Sequence, residues 1–333
     1  MIQEFREKQA AGKKSSTERG RRVRRTERPR ESEYPASSGV CACVRLAVIP
    51  GIFAVALLGA ACDVPHGTVA SRDPAVILKE RPYGLDAPPD TATPSPLVVV
   101  LHGQGGSGLE IAQALDLRRL VATRNFWLAM PDGTFNRAGA STWNAGTIDL
   151  PPYDRIYLAA LIDDVAAKHA VDPKRVYVVG YSIGAFMANR LACDISPKLA
   201  AIMSFAGAVT SVPSQCATTS PVSIVALHGD HDDVITYDGG PFVNGVQSAP
   251  SAHDTVATWA RNNACTGQLV PTGVTLDVDH DVAGNETAID AYGGCPRGID
   301  VQLWTMRGSG HSPTVGPEFG TRVIDWLYAH PKP

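Results

Sequence analysis

Val176-Tyr177-Val178-Val179-Gly180-Tyr181-Ser182-Ile183-Gly184-Ala185-Phe186-Met187 decides how this chain folds. A β-branched apolar run stops at Gly-x-Ser-x-Gly and passes at once into residues able to continue as a helix, so the segment predicts a strand, a sharp turn and a helix. A hydroxyl is exposed at the tip of a strand only if the backbone turns tightly through the serine itself. Glycines two before and two after it let strand and helix approach without Cβ clashes. Ser182 is therefore the candidate nucleophile.

Working outward, Leu97–Leu101, Phe126–Met130, Ala201–Phe205, Val222–Leu227 and Ile299–Met306 are further short apolar runs. Strands apolar on both faces belong in the middle of a parallel sheet covered by helices. Helical periodicity falls between them: from Ser107 to about Ala122, from about Asp154 to Ala170 with Asp172-Pro173 as the stop, over Ile183–Ala192, over Ser251–Arg261 and over Pro317–Tyr328. The alternation predicts an α/β fold, a mostly parallel doubly wound sheet flanked by helices. The opening AVILKERPYGLDAP from Ala75 reads as strand-like. Val274–Val282 alternates and turns at Gly284-Asn285, which reads as a hairpin with one solvated face. Its Asp277, Asp279 and Asp281 lack the Gly and Glu that a calcium loop requires and are expected to point outward from an edge strand. The irregular stretch from Thr134 to Pro152 is long enough to be functional, and Trp143 within it is expected to contact substrate.

At 333 residues, 44% hydrophobic and 19% charged, the chain is neither fibrous nor disordered overall. Its charge is uneven: residues 1–61 hold 12 of the 30 Lys and Arg and 6 of the 33 acids, leaving 18 basic and 27 acidic residues in an acidic body. Residues 1–43 form an Arg-rich extension too polar to fold, either a disordered tail or residues upstream of the true start. A nucleic-acid-binding arm is the competing reading, and it is set aside because residues 44–61, with the apolar run Leu46–Ala61, have the length and flanks of a signal peptide. Cleavage before Cys62 would leave a cysteine open to lipidation, and a linker over 62–74 would join it to a domain over 75–333. Cys193, Cys216, Cys265 and Cys295 remain as an even set, fit for two disulfides in an oxidising compartment, with three pairings open. No Cys or His cluster suggests a metal, and Gly103–Gly108 lacks the ending of a phosphate loop. No cofactor is expected.

A serine hydroxyl needs a base within hydrogen-bond reach and an acid to hold that base. A serine at a strand-to-helix Gly-x-Ser-x-Gly turn resembles the nucleophile of an α/β-hydrolase, and the resemblance implies the chain order serine, acid, histidine, each at the carboxyl end of a strand. Of His253, His280, His311 and His330, only His311 lies in a short Gly- and Ser-rich loop between the last strand and the last helix, so His311 is the candidate base. The acid must come from the loop after Leu227, where Asp230, Asp232 and Asp233 compete and spacing does not choose. Asp149, Asp154, Asp163 and Asp164 are expected on helix surfaces or as caps. Backbone N–H groups of Gln104 and Ile183 are the candidate oxyanion hole. His102 is expected to orient its loop, and His228 and His231 to be structural.

LHGQGGSG, the Trp-Asn-Ala at Trp143, VDPKRVYVVGYSIGAFMANRLAC, HGDHDDVITYDGG and GSGHS, in that order over about residues 75–330, resemble the secreted poly(3-hydroxybutyrate) depolymerase and feruloyl esterase type of α/β-hydrolase. The resemblance implies an exported serine esterase with Asp232 as the acid, since the pattern ending Tyr-Asp-Gly-Gly fits Tyr237–Gly240 without gaps. It also implies disulfides 193–216 and 265–295. A monomer acting on polyhydroxyalkanoate oligomers or on acyl groups of plant polysaccharides, without a nucleic-acid partner, is the expectation; a non-catalytic scaffold binding a ligand at the cell surface is the alternative. The chain departs from the family at Ile183 (usually Asn), at Ala185 (usually Gly) and at Pro313-Thr314-Val315 (usually Trp-Pro-Gly), positions that surround the pocket and bear on substrate.

Overall fold

The computed structural model describes residues 71–146, 151–241 and 248–333. The expected extension, signal peptide, Cys62 and most of the linker lie outside the described residues, as does Asp149. A nine-stranded sheet, in the order β1-β3-β2-β6-β7-β8-β13-β12-β11, forms the centre. Its strands are β1 (Gly84–Asp86), β2 (Ser95–Leu101), β3 (Trp127–Met130), β6 (Val171–Tyr181), β7 (Ala201–Phe205), β8 (Ser223–Gly229), β11 (Leu269–Leu276), β12 (Thr287–Tyr292) and β13 (Val301–Met306). From β3 to β13 all neighbours are parallel; β1 pairs antiparallel with β3, β12 with β13 and β11 with β12, so only β1 and β12 run against the rest. Two small hairpins, β4 (Thr134–Phe135) with β5 (Ser141–Thr142) and β9 (Gly240–Pro241) with β10 (Ser248–Ala249), lie outside it.

The helices are α1 (Pro74–Glu80), α2 (Gly108–Ala114), α3 (Leu117–Arg124), α4 (Asp154–Lys168), α5 (Ile183–Asp194), α6 (Ala252–Asn262) and α7 (Phe319–Ala329). Every residue of β2, β7 and β8 is buried, which is why these strands read as continuous apolar runs. Leu97, Val99 and Leu101 pack with Leu158 and Leu161 of α4, Met187 and Leu191 of α5, and Trp259 of α6. On the other face, Phe205 meets Phe319 and Tyr177 stacks on Tyr328, both from α7. A sheet covered by helices on both faces is the α/β-hydrolase architecture that the sequence predicts. Disulfides join Cys193 to Cys216 and Cys265 to Cys295, across 23 and 30 residues, closures of a size that stabilise by about 3 kcal/mol each in the chain-entropy account.

Local chemistry overrides the pattern at several places. Pro74–Glu80 is a helix, not a strand, because Asp73 caps it by accepting the N–H of Ala75 at 2.9 Å and Pro74 supplies a pre-set first turn. The helix expected from Ser107 to Ala122 is two, broken where Asp116 takes a left-handed φ of 56°. Asp172-Pro173 does not simply stop a helix: α4 ends at Lys168 and β6 runs through both residues, Pro173 being tolerated at the exposed start of the strand. The strand expected over 274–282 ends at Leu276, and Asp279 beyond it is 3% exposed rather than outward-facing, because its carboxylate receives hydrogen bonds from the loop after β13.

Asp154 is likewise no surface cap. Its side chain is fully buried against Arg81 at 2.7 Å, and it accepts the N–H of Asn144 at 2.6 Å. Arg81 also donates to Asp132 O at 3.1 Å and lies 3.9 Å over the ring of Tyr157, so one guanidinium gathers α1, the loop after β3 and the start of α4. Replacing Arg81 by alanine leaves a buried carboxylate unpaired, and a loss of about 3–5 kcal/mol in urea unfolding is expected. A loss under about 1 kcal/mol would show that water relieves Asp154 without its partner.

Candidate active site

The carboxyl ends of β2, β6, β8 and β13 carry the loops in which the sequence places its candidates, and these strands lie side by side with only β7 between β6 and β8. Ligand sites of open α/β sheets form at such strand ends. Ser182 follows β6 with φ 55° and ψ −122°, held by its N–H donating to Phe205 O at 2.9 Å. A non-glycine residue in that region is strained. The flanking glycines are what the turn requires: a Cβ on Gly180 would lie 2.2 Å from Gly184 O, and one on Gly184 would lie 2.3 Å from Leu101 O.

Ser182 Oγ is 2.9 Å from His311 Nε2, and His311 Nδ1 is 2.7 Å from Asp232 Oδ2. A carboxylate cannot donate, so Nδ1 carries the proton and Nε2 is free to accept from the serine hydroxyl. Asp232 Oδ1 accepts the N–H groups of Val234 and Ile235, each at 2.8 Å. His228 Nε2 lies 3.2 Å from Asp232 Oδ2 and 2.8 Å from Ile235 O, two acceptors for one N–H. Burial works to raise the Asp232 carboxyl, but hydrogen bonds from His228 and His311, the charge of His311 and the Ile235 N–H outweigh it and hold the group well below the usual carboxylate range. The three acids that spacing leaves open are thereby distinguished. Asp232 alone meets His311, whereas Asp230 is exposed and accepts Gly308 N–H at 2.6 Å, and Asp233 is exposed. His253 and His280 are exposed, and His330 contacts Asp300 and Trp326 O at the far end of α7.

The acid and base loops are joined to each other. Asp230 N donates to Met306 O at 3.1 Å and His231 N to Ser309 O at 3.0 Å. Tyr181, one residue before the serine, reaches the same base loop: its hydroxyl donates to His311 O at 3.1 Å and lies 2.8 Å from Ser312 Oγ. Burial pushes the Tyr181 hydroxyl up to about 12, so it stays protonated. Sequence reasoning misses Tyr181, because nothing local separates this tyrosine from the apolar residues of its strand.

The N–H groups of Gln104 and Ile183 have no acceptor among the described residues; Ile183 directly follows Ser182, and a Cβ on Gly103, the residue before Gln104, would lie 3.3 Å from Ser182 Cβ. Ile183 opens α5, whose N-terminal dipole favours negative charge there. The loop carrying Gln104 is held from beneath. Gly105 N donates to Ser141 O at 2.7 Å, Ser141 Oγ donates to Gly106 O, and Gly108 N donates to Asp132 Oδ1 at 2.7 Å. His102 Nε2 accepts Gly133 N–H at 2.9 Å, which leaves Nδ1 to donate to Gly103 O, and burial lowers the ring's basicity so that it stays neutral. Trp143, expected at the substrate, is 3% exposed; its indole N–H donates to His102 O at 3.0 Å, and its ring packs 5.0 Å from that histidine. Its indole is drawn into the core because the buried carbonyl of His102 needs a donor, so Trp143 supports the Gln104 loop.

A hydroxyl, an imidazole and an ionised carboxylate in series can activate an oxygen nucleophile, and two N–H groups without acceptors can hold a developing oxyanion. Among the described residues no group of three or more His, Cys, Asp or Glu is placed to hold a metal ion.

Residues 155–249 match the phospholipase/carboxylesterase family. The chain is 27% identical over 229 residues to feruloyl esterase B of Piromyces equi, covering 67% of this chain and 40% of the relative. It is 24% identical over 262 residues to poly(3-hydroxyalkanoate) depolymerase C of Paucimonas lemoignei, covering 73% and 60%. The chain thus spans about half the length of the curated relatives it matches. An acetyl xylan esterase structure from Aspergillus awamori superposes with a TM-score of 0.54 at 16% identity, over 79% of this chain and 98% of that one, a likeness of fold.

Proposed function

We propose that this esterase-type α/β-hydrolase is a serine esterase that cleaves carboxylic esters through an acyl-enzyme. The single observation that carries the reading is the unbroken series Ser182 Oγ, His311 Nε2, His311 Nδ1, Asp232 Oδ2 at 2.9 and 2.7 Å. Ser182 Oγ attacks the ester carbonyl while His311 takes its proton, and the carbonyl oxygen becomes an oxyanion facing Gln104 N–H and Ile183 N–H. The tetrahedral intermediate collapses as His311 gives the proton to the departing alcohol. Water then enters, loses a proton to His311 and attacks the acyl carbon; the acid leaves and the proton returns to Ser182. Asp232 remains ionised throughout, stabilising the imidazolium.

The names of the relatives support two substrate classes: polyhydroxyalkanoate oligomers, and acetyl or feruloyl groups on polysaccharide. Both present an acyl carbonyl to solvent-borne enzyme, and the two disulfides support an exported protein. The test is a panel of p-nitrophenyl acetate, methyl ferulate and a 3-hydroxybutyrate oligomer, offered to the full chain with release of acid followed. Hydrolysis of at least the activated acetyl ester is expected. Hydrolysis of none, by protein whose fold is intact by circular dichroism, would reject the reading.

A further inference from the structure

Asp279 is a buried carboxylate that the series from Ser182 to Asp232 does not use. Its Oδ2 accepts Ser309 Oγ–H at 2.8 Å, and its Oδ1 accepts Thr314 N–H at 3.0 Å and Asp281 N–H at 3.1 Å. Ser309 stands two residues before His311 and Thr314 three after it, so one carboxylate closes the chain from 309 to 314 into a ring that contains the histidine. Backbone bonds strengthen the closure: His280 N donates to Thr314 O at 2.9 Å and Gly316 N to Val278 O at 3.2 Å, with a bridge between Asp279 and Val315. The clamp is itself anchored. Glu286, 7% exposed, accepts Asp279 N–H at 2.9 Å and Val278 N–H at 3.2 Å.

The opposite side of the same loop is tied to the acid loop through Ser309 O and Gly308 N–H. His311 is thus gripped between two structures, one of which carries its acid. A carboxylate is expensive to bury unless several donors meet it, and the donors here come chiefly from the two ends of the His311 loop. We propose that Asp279 is a positioning residue: it sets where the His311 imidazole sits relative to Ser182 and Asp232, and acts on the reaction only through that loop. The kinetic consequence rests on the esterase reading above; the placement of His311 does not.

The experiment uses the full chain with p-nitrophenyl acetate, rates expressed per folded molecule, beside the NMR resonance of the His311 Nδ1 proton, which the hydrogen bond to Asp232 shifts far downfield. Asp279→Ala is expected to lower kcat by about 10²-fold, the scale for a misplacement of roughly 1 Å, with KM within about twofold of wild type and the downfield proton lost. Asp279→Asn keeps an acceptor for Thr314 N–H and is expected to recover most of that loss and the resonance. Ser309→Ala removes a single hydroxyl, is expected to cost about tenfold in kcat, and decides the matter should Asp279→Ala not fold. If Ser309→Ala and folded Asp279→Ala both keep kcat within about twofold of wild type, the assignment is overturned. Should the wild type hydrolyse nothing, the esterase reading fails by itself, and a downfield proton that persists in Asp279→Ala or Ser309→Ala overturns the positioning role independently.

Discussion

Ser182→Ala is expected to lower kcat/KM for a short acyl ester by about 10⁵-fold, and His311→Ala by a similar factor, because either change removes the only route by which the hydroxyl becomes an alkoxide-like nucleophile. The double variant is expected to be no worse than either single one, since residues that act as one unit lose their contribution together. Some turnover above water should persist, as the N–H groups of Gln104 and Ile183 are untouched. Stability should move the other way at Ser182. Its φ of 55° is strained for any side chain, so Ser182→Gly is expected to raise the unfolding free energy by about 1 kcal/mol while lowering turnover as Ser182→Ala does. Initial rates and thermal unfolding measure the two effects together. A Ser182→Ala protein retaining more than about a tenth of wild-type activity would remove Ser182 from the mechanism.

The second large effect is at Asp232. Asp232→Asn should lose about 10⁴-fold in kcat, because an amide nitrogen facing Nδ1 favours the tautomer whose Nε2 already carries a proton and cannot accept from Ser182. The same substitution has a pH signature. The folded-state carboxyl of Asp232 is held below its usual value by its hydrogen bonds and by His311, despite burial, so the ionised group adds stability that is fully present above the unfolded pKa of about 3.9. That stability is lost as pH falls through the lowered folded value. The advantage of wild type over Asp232→Asn in melting temperature should therefore be flat above about pH 5 and shrink progressively on acidification. An advantage that grows as pH falls would mean the carboxyl is raised, not lowered.

Much of the site is legible in the chain. Gly180-Tyr181-Ser182-Ile183-Gly184 is readable because the sharp turn tolerates few residues, and His311 because only it follows the last core strand in a Gly- and Ser-rich loop. The choice among Asp230, Asp232 and Asp233 is not readable from spacing, since all three lie in one turn and differ in what their side chains meet: Gly308 N–H for Asp230, His311 for Asp232. The resemblance names Asp232, and the hydrogen bond to His311 gives the physical ground. Helix α1 reads as a strand because Val76, Ile77 and Leu78 mimic one, although Asp73-Pro74 is a pair that caps and starts a helix.

Two expectations fail for one reason: Asp154 and Asp279, which their neighbours in sequence place on a surface and an edge, are buried by partners far along the chain, Arg81 and Ser309, and Trp143 is buried in the same way against His102. From sequence alone came the layering, the chain order of the loops at the strand ends, and the candidate nucleophile and candidate base, because periodicity and tight turns are written in adjacent residues. Only the tertiary structure decided which carboxylates are buried and what they hold, because a charged group enters the interior when donors converge on it, and the deciding donors Ser309 and His311 stand 30 and 79 residues from the carboxylates they meet.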